Sequence, residues 1–220
     1  MIEAILFDLD GTLIDTAADM GGALNSLLLE EGFEPLPLDI IRPLVSQGGL
    51  VLTRLGFSDK VAEREIEPLR QRFLQHYHAQ VADESKLFDG YGEILHELEA
   101  RSLPWGIVTN KPEWLTRPLL EQLDLAQRCG VVIGGDTLAQ RKPHPLPLQV
   151  AAERLQVSCN NCIYVGDDER DIVAGKAAGM TTLVAAYGYI EDADAIEAWQ
   201  ADGVIDLPPD LLEHPLVGLI

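Results

Sequence analysis

The sequence predicts an α/β protein: a Rossmann-like parallel sheet with helices on both faces, interrupted once by an all-helical segment. Three observations carry this. Six short strand-like runs recur along the 220 residues, at 3–8, 105–110, 130–136, 162–167, 181–186 and 203–206. All but the last are nearly continuous in apolar residues instead of alternating, as strands are when helices cover both faces of a sheet. Each gap among the five later runs holds one helix, the spacing of βαβ units. In the gap after the first run, residues 14 to about 84, some seventy residues, hold no convincing strand.

The elements follow in order. The first strand, "EAILFD", ends at Asp8 and leads into "LDGT". Helices are expected over 15–31, 37–45, a short stretch near 50–55, and 59–79, separated by Gly32, Pro35, Pro37 and the "SQGG" at 46–49. This is too long for a simple crossover. Residues 14–83 are therefore expected to form a helical cap domain inserted into an α/β core of residues 1–13 and 84–220. In parallel α/β sheets the ligand crevice lies beyond the carboxyl ends of the strands. An insertion at the first strand's carboxyl end sits over that crevice, where a lid belongs.

Composition narrows the partners. Apolar residues make up 47% of the chain, enough for a substantial core. The net charge of −20 argues against nucleic acid and against anionic membrane surfaces. A small anionic substrate is still compatible, because a local site can be positive within a negative field. The N-terminus has no basic flank or cleavage pattern, and apolar runs are far shorter than a membrane span. Three cysteines make no disulfide framework. A cytoplasmic protein is expected. "CNNC" at 159–162 lacks a second ligand pair for zinc, and His76 and His78 stand on different faces of a helix, so neither is read as a metal site. Oligomeric state has no signature in the sequence.

Chemistry gathers at four strand tips. Asp8 and Asp10 stand two apart, so an extended chain points both the same way, and they repel unless a cation or proton intervenes. Gly11 permits a sharp turn, and Thr12 can hydrogen-bond the loop. Thr109-Asn110 follows the second strand and offers a hydroxyl, an amide and backbone N–H groups to an anionic oxygen. Lys142, before Pro143, is a cation able to offset the carboxylates and bind phosphate. Asp167, with Asp168 and Asp171 in the next turn, completes an oxygen-rich set that suits Mg²⁺. Each motif alone is commonplace; together they stand at the tips of one sheet.

In this order, "DLDGT", "TN", "KP" and "GDDERD" resemble the haloacid dehalogenase superfamily, in particular its phosphatases related to phosphoglycolate phosphatase. The likeness covers residues 1–13 and about 84–190. It implies that Asp8 is a nucleophile forming an aspartyl-phosphate and that Asp10 is first acid, then base. Asp8, Asp167 and the Asp10 backbone carbonyl would hold Mg²⁺, with Asp171 a ligand or supporting anchor. Thr109 and Lys142 would bind the phosphoryl group, helped by Asn110. An aspartate at position 10 favours phosphoryl chemistry over the superfamily's metal-free dehalogenases. Asp168 stands where such phosphatases often carry Ser or Thr, and is expected to face the helix start.

The cap should choose the leaving group. Ser46, Gln47, Gly48 and Gly49 are expected to face the crevice, with Arg54 a candidate for a substrate carboxylate that competes with an ordinary solvated helix position. The expected substrate is a small phosphorylated metabolite, phosphoglycolate first. A phosphosugar such as N-acetylmuramic acid 6-phosphate is the alternative, with a phosphomutase as mechanistic rival and a non-catalytic phosphate-ligand sensor as a more distant one.

Overall fold

A computed structural model describes residues 2–218. Met1, and Leu219 and Ile220 at the end of the expected core range, lie outside the described residues. The chain opens with β1 (Ala4–Phe7), β2 (Ile14–Asp15) and α1 (Ala17–Glu30). Then come α2 (Leu38–Ile41), α3 (Gly49–Phe57), α4 (Glu63–Ala79) and β3 (Lys86–Leu87). Helix and strand alternate from there: α5 (Tyr91–Ala100), β4 (Trp105–Val108), α6 (Glu113–Gln122), β5 (Val131–Ile133), α7 (Leu146–Leu155) and β6 (Cys162–Gly166). The last elements are α8 (Glu169–Ala178), β7 (Thr181–Ala185), α9 (Ile196–Trp199), β8 (Gly203–Ile205) and α10 (Asp210–Glu213).

Six strands make one parallel sheet in the order β5-β4-β1-β6-β7-β8. The chain runs outward from β1 to β5, then returns to β6 on the other side of β1. That reversal is the switch point at which α/β sheets bind ligands. Asp8 and Asp167 follow the two strands that flank it. Every residue of β1 is buried. Leu6 belongs to a cluster with Val108, Ile133 and Tyr164 beneath α7 and α8. Ile5 and Phe7 face the other way, against Tyr91 and Leu95 of α5 and Leu119 of α6. Two covered faces explain why the strand runs are continuous in apolar residues.

In the helical segment α4 packs on α1 and α3, burying Leu24, Leu28, Phe57 and Phe73. Two expectations change. Ile14–Asp15 is a strand, not helix or loop, paired antiparallel with Lys86–Leu87. This ribbon joins the two places where the chain enters and leaves the helical segment. Two residues are too few for any periodicity to mark them. The helix expected over 37–45 is α2 followed by a 3-10 turn over Arg42–Gln47, with Pro43 at its start. Proline removes an N–H that a continuing α-helix would need.

Among the described residues no helix is long and apolar enough to cross a membrane. The three cysteines are unpaired. His76 pairs with Glu30 while His78 stacks on Trp114, so the two histidines do not converge.

Candidate active site

The β1 strand ends where the chain turns on itself: the carbonyl of Leu9 accepts from the N–H groups of Leu13 and Ile14. Gly11 sits inside this turn at φ +82°, and a Cβ there would lie 2.1 Å from Asp167 Oδ2. Only glycine fits. The turn separates the two leading carboxylates. Asp8 faces the buried acidic group, whereas the Asp10 carboxylate accepts from Thr16 Oγ1 at 2.6 Å and from Lys111 Nζ at 2.9 Å.

Lys142 is buried, with Nζ 2.8 Å from Asp8 Oδ1 and 2.7 Å from Asp171 Oδ1. It also donates to the Tyr164 hydroxyl at 2.8 Å, and that hydroxyl donates to the Val108 carbonyl. Burial opposes the charge on Lys142, but Asp171 and Asp8 outweigh it and raise its pKa, so the lysine stays protonated.

Asp167 accepts from three donors: Thr12 Oγ1 at 3.0 Å, Ser46 Oγ at 2.7 Å and the Tyr189 N–H at 2.9 Å. Ser46 Oγ is also 3.1 Å from the Asp10 backbone carbonyl. One hydroxyl from the helical segment thus touches two oxygens that the family resemblance implies as metal ligands. Asp8, Asp167 and Asp171 each present an oxygen within 4.8 Å of the others. Burial first, then the neighbouring carboxylates, raise the pKa of Asp167; burial raises Asp171 too, against the opposing pull of Lys142. Asp8 Oδ1 is buried and accepts no hydrogen bond, its contact being the ion pair with Lys142. An all-oxygen cluster of three buried carboxylates against one lysine fits a hard divalent cation such as Mg²⁺.

At the second tip Thr109 is buried, and its hydroxyl accepts from the Lys111 N–H at 3.1 Å. Asn110 donates to the Lys142 carbonyl at 3.0 Å, while its own Oδ1 is buried without a partner. Gly135 comes so close that a Cβ would lie 2.2 Å from the Asn110 carbonyl. At the fourth tip Asp168 caps α8, accepting from the Arg170 N–H at 2.9 Å and pairing with its guanidinium.

Part of this set opens onto a crevice of about 660 Å³, while Asp167 and Asp171 are not among its lining residues. Asp8, Asp10, Thr109, Asn110 and Lys142 are among its core-side residues, and Ser46, Gln47, Gly48 and Gly49 line it from the helical segment. Arg54 does not: it pairs with Glu63, with 45% of its side chain exposed. Position on α3 turns it outward, and the arginine that lines the crevice from this segment is Arg70 of α4, paired with Glu67. A second hollow of about 500 Å³ between α5 and α10 holds none of the motif residues.

Sequence reasoning missed Lys111, Thr16 and Tyr189. Tyr189 donates from its hydroxyl to Asp15 at 2.6 Å and accepts from the Thr16 N–H at 2.7 Å. Arg42 lies over its ring at 5.0 Å and holds Asp15 through two hydrogen bonds. For Lys111 a signal existed: it precedes Pro112 next to a strand tip, as Lys142 precedes Pro143.

Residues 5–185 match the family described as haloacid dehalogenase-like hydrolase. The chain is 48% identical over 212 residues to a phosphoglycolate phosphatase of Xanthomonas campestris pv. campestris (strain 8004), covering 96% of this chain and 95% of that protein. It is 39% identical over 210 residues to an N-acetylmuramic acid 6-phosphate phosphatase of Pseudomonas putida, covering 96% and 94%. Its fold is similar to the crystal structure of a predicted phosphoglycolate phosphatase from Haemophilus somnus 129PT, with a TM-score of 0.86, 25% identity, and 96% and 97% of the two chains covered.

Proposed function

The chain belongs to the haloacid dehalogenase-like hydrolases, and from that premise we propose that it is a Mg²⁺-dependent phosphomonoesterase acting on phosphoglycolate. It is a phosphatase by family and by its relatives over nearly the whole chain. The observation that carries the site assignment is Lys142 set 2.8 Å from Asp8 and 2.7 Å from Asp171, inside the three-carboxylate cluster.

Asp8 is the nucleophile. One carboxylate oxygen attacks phosphorus in line, forming the aspartyl-phosphate, and a water then releases phosphate from it. Asp10 gives a proton to the leaving oxygen, then takes one from that water. Thr109, Asn110 and Lys142 hold the phosphoryl oxygens, Lys142 with full charge in a buried setting where that charge acts strongly. Asp8, Asp167 and the Asp10 carbonyl would hold Mg²⁺, with Asp171 as ligand or supporting anchor. The ion would supply positive charge to the transferring group and relieve carboxylate repulsion. Residues 14–83 act as the cap, closing over the crevice and excluding water.

Phosphoglycolate has first place because the relative bearing that name shares 48% identity. N-acetylmuramic acid 6-phosphate is the second reading. The crevice of about 660 Å³ is roomier than a two-carbon acid requires, and the Pseudomonas relative also spans the whole chain. The test is phosphate release from a panel of phosphorylated metabolites with Mg²⁺, ranked by kcat/KM. Phosphoglycolate is expected to lead, and Asp8→Asn to lower turnover by at least about a thousandfold. Normal turnover by Asp8→Asn would sink the mechanism. Isomerised sugar phosphate without free phosphate would make the protein a mutase.

A further inference from the structure

Asp8 and Asp10 leave one turn, and each meets its own lysine from a Lys-Pro segment: Lys142 for Asp8, Lys111 for Asp10. Lys111 is not free to roam. Its backbone N–H donates to Thr109 Oγ1 at 3.1 Å and its carbonyl accepts from the Gly135 N–H at 2.8 Å. Its side chain is almost wholly buried, and its ammonium lies 4.3 Å from the centre of the Tyr77 ring on α4. Both donors to Asp10, Thr16 Oγ1 and Lys111 Nζ, end on the same oxygen, Oδ1. Among the described residues no hydrogen bond engages Oδ2, and Asp10 lines the crevice.

We propose that Lys111 is a positioning residue: it anchors Oδ1 of Asp10 so that Oδ2 faces the leaving oxygen, and Tyr77 of the helical segment seals it in place. This rests on Asp10 being the acid and base of the reading above. In the first step an Asp8 oxygen bonds to phosphorus, the bond from phosphorus to the leaving oxygen breaks, and the proton on Asp10 Oδ2 passes to that oxygen. Lys111 keeps its three protons throughout. Its ammonium, 2.9 Å from Oδ1, favours the carboxylate that Asp10 becomes once its proton has passed to the leaving oxygen. A carboxylate with one oxygen fixed and the other bare has its proton-carrying direction set before substrate arrives. The Tyr77 contact ties that direction to the helical segment, because a desolvated ammonium under an aromatic face is held more firmly than a hydrated one.

The rival role for Lys111 is a plain phosphate ligand, and leaving-group chemistry separates the two. Benzyl phosphate expels an alkoxide that needs a proton; 4-nitrophenyl phosphate expels an anion that needs none. With a covalent phosphoenzyme, kcat/KM reports only steps through the first release. Lys111→Met is expected to lower kcat/KM for benzyl phosphate by about a hundredfold and for 4-nitrophenyl phosphate by less than about tenfold. Lys111→Arg retains a cation for Asp10, and should show the same selectivity in smaller measure, with thermal unfolding read alongside to check the fold. Equal losses on both substrates in either variant overturn the proposal. Asp10→Asn is run alongside: selective loss there with equal losses in the Lys111 variants overturns Lys111 alone. Equal losses in Asp10→Asn overturn the acid assignment and this proposal with it.

Discussion

Removing the Lys142 charge with Lys142→Met tests whether the cluster is held together by electrostatics. Lys142 is 2% exposed and its ammonium touches two carboxylates, one of which, Asp171, is fully buried. Breaking a buried pair by deleting one partner costs about 3–5 kcal/mol, because the other charge is left uncompensated. In a chain of this size each kcal/mol moves Tm by roughly 2–4 °C, giving a drop of about 6–20 °C. The cost should depend on pH. Burial raises the Asp171 pKa to about 7 even with Lys142 opposing it, so without the lysine the carboxyl takes a proton more readily still. At pH 5.5 that proton replaces the lost charge, and the penalty shrinks.

The assay is thermal unfolding with chelator present, at pH 5.5 and pH 8, for Lys142→Met and for Lys142→Met with Asp171→Asn. The second substitution removes the stranded charge. The double variant is therefore expected to unfold at a higher temperature than the single one at pH 8, a non-additivity read by the mutant cycle. A double variant less stable than the single, or a penalty equal at both pH values, refutes the electrostatic account.

Two further outcomes follow from the site. Arg54→Ala should leave kcat/KM within about twofold and cost at most about 1 kcal/mol, since its partner Glu63 is exposed; a tenfold rise in KM would return Arg54 to the crevice. In metal-free protein, Asp167 and Asp171 carry pKa values raised to about 8 and about 7, above their unfolded values. Folded protein then holds those protons more tightly, so stability is highest below the unfolded pKa and declines as pH rises through 7 to 8. Mg²⁺ displaces the protons, and its gain in Tm over chelator should be larger at pH 8 than at pH 6. A gain independent of pH would contradict the buried cluster.

The sheet was legible because its signal is local. "AILF" is apolar at every position, and both faces of β1 are in fact buried. The motif carboxylates were legible for a related reason: a charge directly after such a run must leave the core, and the strand tip is where it leaves. The β2–β3 ribbon gave no such signal, being two residues on each side of an excursion of about seventy. Arg54 illustrates the opposite limit. Residues of α3 share a short segment, but which of them faces the crevice depends on how the helix is rotated, and "GGLVLTR" does not fix that rotation.

The resemblance implied different duties for Asp8 and Asp10, but residue spacing could not show how the two are held apart. Asp8 and Asp10 are two apart, and an extended chain would aim both at one ion. The turn at Gly11 prevents this, and the partners that complete the separation come from far away: Lys111 is 101 positions from Asp10, and Thr12 meets Asp167 across 155. A hydrogen bond over such a span leaves no periodicity and no spacing rule. Lys-Pro was the one local trace, and it occurs twice, once close after β4 and once in the loop beyond β5. Lys142-Pro143 serves Asp8 and Lys111-Pro112 serves Asp10: two neighbouring carboxylates with opposite duties call for two separate cations. One must stay with the nucleophile while the phosphoryl group arrives; the other must stay with the acid while its proton departs. A single shared cation would tie the two together, so that whatever steadied Asp8 would also pull Asp10 toward the metal cluster and away from the leaving oxygen.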